Sequence, residues 1–110
     1  MKIALDYDMT YTLDPEMWDM IIEGLEWKGH DVRIVTTRNP VEDKIKRDVK
    51  IPIIYCDGIA KRYYCHWFAD EGEGWDPDIW IDDKPQSVDN NSPTTREQLS
   101  EWRKTRIELD

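Results

Sequence analysis

The chain has 110 residues, which fits a single domain spanning residues 1–110 with a thin core, and six tryptophans and five tyrosines supply much of the area available to bury. Its net charge of −9 argues against a broad nucleic-acid-binding face, because such a face needs clustered Lys and Arg to displace counterions, but it leaves room for a phosphorylated substrate approached through a metal. No apolar run is long enough to span a bilayer, the N-terminus lacks a signal-peptide pattern, and Cys56 and Cys65 form no spaced framework, so the expected setting is a reducing cytoplasm.

Residues 2–5, Lys-Ile-Ala-Leu, form a compact apolar run that predicts a short buried strand. It breaks directly into Asp6-Tyr7-Asp8-Met9-Thr10, two carboxylates two residues apart. Asp14 caps a helix that opens with Pro15 and Glu16, places Trp18, Ile21, Ile22 and Leu25 on one face, and stops at Gly29. A second strand over residues 32–35 ends in Thr36-Thr37-Arg38. Asn39-Pro40 then starts a second helix with Val41, Ile45 and Val49 inward. Residues 51–55 read as a third strand, and Pro52 assigns it to an edge, since proline cannot donate to a ladder. Helix is expected over residues 59–69, then an acidic, glycine-containing loop at 71–74. A fourth strand, Ile79-Trp80-Ile81, ends in Asp82-Asp83. Ser92-Pro93 opens a last helix over about residues 93–107, with a sparse apolar face of Leu99, Trp102 and Ile107.

The alternation of strand and helix predicts an α/β fold, a Rossmann-like three-layer sandwich on a short parallel sheet of four strands. Parallel strands bring their carboxyl ends to one sheet edge, where ligands sit in open α/β sheets. Three of the four strands end in polar clusters, and their convergence on that edge is the informative signal. Two acids side by side cost stability unless a cation or a task holds them.

These residues resemble the haloacid dehalogenase-like superfamily of phosphohydrolases, whose four motifs can be placed over residues 6–88. Asp6, Asp8 and Thr10 match the first motif, Thr36 the second, Lys61 the third, and the acidic pair Asp82-Asp83 the fourth. Lys44 and Lys50 are rivals for the third. Met9 stands where many members have Gly. The resemblance implies Mg²⁺ held by Asp6, Asp83 and the Asp8 carbonyl, with Asp82 in an outer or water-mediated role. It implies that Asp6 attacks phosphorus to give an aspartyl-phosphate and that Asp8 serves as acid and then base. Thr36 and Lys61 would stabilise the transferring phosphoryl group, and Thr10, Thr37 and Arg38 are candidate substrate contacts, although Arg38 reads first as a solvated arginine.

The gaps after the first and third strands are too short for an inserted cap domain. An open, capless site is therefore expected, shielded by short loops or a neighbouring subunit in a homo-oligomer, and by resemblance suited to bulky or macromolecular phosphates. The segment from Asp82 to Val88 is also similar to the phosphatase half of phage polynucleotide kinase-type enzymes, which would make a nucleic acid a substrate only at a phosphate end. Two alternatives stand beside the hydrolase. One is a non-catalytic phosphoacceptor or signalling module, disfavoured because receivers place an adjacent acidic pair first and this chain places it late. The other is a degenerate member that binds metal or a partner without turnover. Cys56, Cys65 and His66 are too few and too poorly spaced for a zinc site.

Overall fold

A computed structural model describes residues 1–91. The expected helix over residues 93–107 lies outside the described residues. Four strands, β1 (Lys2–Leu5), β2 (Asp31–Thr36), β3 (Ile53–Tyr55) and β4 (Ile79–Ile81), form one parallel sheet in the order β3-β2-β1-β4. Three α-helices accompany it: α1 (Pro15–Trp27), α2 (Lys61–Phe68) and the short α3 (Gln86–Asp89).

The two-residue periodicity of the strands sorts the core into two layers. Ile3, Leu5, Val32 and Ile34 face α1, where Ile22 is buried and Trp18 and Leu25 pack alongside. Ala4, Val35 and Ile54 face the opposite layer, built from Cys65 of α2 with Cys56, Ala69 and Trp75. Ile21, placed on the inner stripe by sequence, is 40% exposed, because the buried stripe of α1 is narrower than its apolar content. The α1 boundaries follow local chemistry. Asp14 Oδ1 accepts from Met17 N at 3.1 Å, Pro15 occupies the first turn, and Gly29 leaves the helix at φ +88°.

β3 lies at a sheet edge, as Pro52 requires, and it begins one residue after that proline. The expected helix after Asn39-Pro40 does not form. Asn39 Oδ1 accepts from the amides of Val41 and Glu42, while Asp43 accepts from Asn39 N with its side chain and from Arg38 Nη1 with its carbonyl. Further on, the Tyr55 hydroxyl takes the Ile45 amide at 3.2 Å. Side chains thus satisfy backbone groups that a helix would pair with one another. Only Ile45 of the three intended inward residues is buried, and Val41 is 86% exposed.

The chain runs from β1 outward to β2 and β3, then crosses back to place β4 on the other side of β1. That reversal makes a topological switch point at the carboxyl ends of β1 and β4.

Candidate active site

The sheet itself brings the early and late acids together. Leu5 pairs with Ile81, and Asp6 N donates to Ile81 O at 2.9 Å, extending the pairing by one residue. Asp6 therefore emerges beside Asp82. Oxygen atoms of Asp6, Asp82 and Asp83 all lie within 4.8 Å of one another.

Lys61, at the start of α2, reaches this cluster from the opposite layer. Its ammonium lies 2.8 Å from Asp6 Oδ1 and 2.5 Å from Asp82 Oδ2. Of the three lysines considered from sequence, Lys61 is the one at the acids; Lys44 is exposed, and Lys50 pairs with Asp48 at the surface. Thr10 sits between the two acidic groups. Its Oγ1 is 3.1 Å from Asp6 Oδ2 and 3.3 Å from Asp83 Oδ1, so its one hydrogen can serve either carboxylate, and it accepts from Asp83 N. Asp82 is fixed further by the Lys84 amide at 2.9 Å and by Ser87 Oγ at 3.3 Å. Ser87 was not legible as a site neighbour; its only signal is its position five residues after the motif.

Among the described residues, three carboxylates around one ammonium leave negative charge unmatched. Burial pushes the Asp6 carboxyl up to about 7; Lys61 pulls against the rise, while Asp83 and Asp82 add to it. Burial alone would lower the Lys61 ammonium, but Asp6 and Asp82 outweigh it and hold Lys61 above its ordinary value. Both shifts express one imbalance, which a bound proton or a hard cation relieves. The oxygen-only donor set suits Mg²⁺, which favours carboxylates and water at octahedral positions.

Asp8 stands apart from this cluster. Its two oxygens accept from Arg38 Nε at 2.9 Å and Nη2 at 2.7 Å in a fork-to-fork pair, with both side chains almost wholly buried. The Arg38 guanidinium also lies 5.1 Å from the Tyr7 ring centre. The solvated arginine considered from sequence is thus corrected: Arg38 has no exposed surface. Both oxygens of Asp8, the acid and base implied by the resemblance, face a guanidinium. This pair eluded sequence reading because its partners are thirty positions apart and neither lies on a periodic face.

Thr36 and Thr37 are both buried. The Thr36 hydroxyl accepts from Arg38 N at 3.3 Å, and the Thr37 carbonyl accepts from Gly58 N at 2.9 Å. The loop that carries Asp8 turns through Met9 at φ +62°, the left-handed region where Gly would be unstrained. It is held by Tyr7 O, which accepts from the Thr10 and Thr12 amides, and by Trp18 Nε1, which donates to Thr10 O at 2.9 Å. Cys56 and Cys65 are free thiols, both buried. A cavity of about 800 Å³ is lined by α1 and residues 49–51 and contains no member of the acidic cluster. Among the described residues no helix is long and apolar enough to cross a membrane.

No family model matches the chain, and neither a curated protein nor a solved structure matches it.

Proposed function

We propose that this chain is a Mg²⁺-dependent phosphomonoester hydrolase of the haloacid dehalogenase type, working through an aspartyl-phosphate on Asp6. The observation that carries the reading is the meeting of Asp6, Asp82, Asp83 and Lys61 at the sheet's switch point. Asp6 and Asp83 are the residues that would hold the ion directly, with Asp82 fixing Lys61 beside them. A bound Mg²⁺ supplies charge neutralisation that lets an anionic nucleophile approach a phosphate dianion.

In this reading an Asp6 carboxylate oxygen forms a bond to phosphorus as the bond to the leaving alcohol breaks. The Lys61 ammonium offsets charge on the transferring oxygens, and the Thr10 hydroxyl keeps the Asp6 carboxylate in one rotamer. The leaving oxygen takes a proton from Asp8, which must first pick one up from solvent on an oxygen released by Arg38, and Asp8 later accepts a proton from the water that releases inorganic phosphate. Because Arg38 holds both oxygens of Asp8, this role belongs to a state in which substrate draws one of them away. The segments after β1 and β3 are too short to hold a cap domain, which suits phosphate on a bulky or macromolecular carrier, and the net charge of −9 restricts a nucleic-acid substrate to its phosphate end. A reducing cytoplasm suits the two buried free thiols.

The Asp8–Arg38 clamp also favours a second reading, a phosphoacceptor that forms the acyl phosphate and releases it slowly. Hydrolysis of a generic aryl phosphate with Mg²⁺, with chelator, and by Asp6→Asn tests the enzyme. Turnover that needs Mg²⁺ and Asp6 supports hydrolysis. A single stoichiometric burst supports the acceptor, and full activity in excess chelator overturns both. A panel of phosphorylated nucleotides, sugars, peptides and oligonucleotide ends then ranks substrates.

A further inference from the structure

The layer that carries α2 has an apolar surface that the core does not use. Tyr63, Trp67 and Phe68 are each more than half exposed. Tyr63 lies 6.4 Å from Trp67 and 6.3 Å from Phe68 between ring centres, so the three make one continuous aromatic surface. Beside it runs a groove of about 270 Å³ between α2 and α3, with Tyr63, Trp67 and Val88 among its walls and Arg62, His66 and Asp89 at its margin.

The chain leaves the described region at one end of this groove. Asn91 Oδ1 accepts from Ala60 N at 3.0 Å, which pins residue 91 to the start of α2. Residues 92–110 follow and carry Leu99, Trp102 and Ile107 at helical spacing. Eight residues of helix, the separation of Leu99 from Asn91, would span about 12 Å, and α2 runs about 10 Å from Ala60 to Trp67.

We propose that the α2–α3 groove is the docking site of this chain's own C-terminal segment, with Leu99 and Trp102 seated on Tyr63 and Trp67. The inference is independent of the hydrolase reading. It predicts that the segment covers the aromatic surface of the helix whose first residue is Lys61, supporting the site from behind.

The test uses the full chain with a photoreactive p-benzoylphenylalanine at position 102, and separately at 99. Irradiation should join either position to peptides containing Tyr63 and Trp67, in a product of monomer mass. Cross-links to Met20 or Trp27 of the α1 groove, a product of dimer mass, or no cross-linking above a denatured control would each overturn it. A gentler variant, Leu99→Asp, should speed amide exchange in α2 about tenfold by removing an apolar contact. Unchanged exchange there would equally overturn the proposal.

Discussion

In the metal-free protein, Asp6→Asn should stabilise the fold, and the gain should grow with pH. Asp6 titrates near 3.8 when unfolded and at about 7 in the native site. Between those values the native state holds a proton that the unfolded chain has released, so stability falls as pH rises through this window and levels off above about 7. A shift of about three pH units corresponds to roughly 4 kcal/mol at pH 8 and to roughly 2 kcal/mol at pH 5. Asn keeps the shape, can accept from Lys61 through Oδ1, and carries no charge to bury. Urea unfolding followed by tryptophan fluorescence in chelator, from pH 5 to pH 8, measures the gap between parent and variant. A gap widening by about 2–3 kcal/mol is expected. Adding Mg²⁺ should shrink it, because the cation stabilises the ionised parent by mass action and has lost a ligand in the variant. A gap that stays constant with pH, or a parent that grows more stable from pH 5 to pH 8 relative to the variant, would refute the charge imbalance.

Arg38→Met should cost about 3–5 kcal/mol, since it strands the buried Asp8 carboxylate; Asp8→Leu on the same background should recover part of that loss in the urea midpoint. Met9→Gly should stabilise by about 1 kcal/mol by relieving the left-handed backbone, read as a higher melting temperature with unchanged Mg²⁺ response. Lys61→Met should lower phosphate-ester turnover by about a hundredfold or more, because it removes the one cation that the described residues place on Asp6, whereas Lys50→Met should leave turnover intact.

The strands were legible as short apolar runs, three of them closing in polar residues, and parallel order follows from the long crossovers between them, two of which are helical. Pro52 alone assigned β3 to an edge. The convergence of Asp6 with Asp82 was legible because strand ends in a parallel sheet share an edge, and register then needs only one more residue of pairing. The segment after Asn39 misled because its capping signal is real but ends in a turn. Asn39 and Asp43 cap the backbone and each other, and the charged residues that follow, from Lys44 to Lys50, offer too little apolar surface to extend a helix. Arg38 misled for a different reason. An arginine reads as solvated unless its counter-ion is known, and the motif assigns Asp8 to proton transfer. Only the folded loop through Met9 shows the two meeting.

The most direct measurement is mass mapping of the phosphoryl group after brief incubation with acetyl phosphate and acid quenching, with Mg²⁺ and with chelator. A Mg²⁺-dependent label on Asp6, lost in Asp83→Asn, is the predicted result. A label on any other side chain, or one on Asp6 that forms equally well in chelator, would contradict a shared cation at the meeting of β1 and β4.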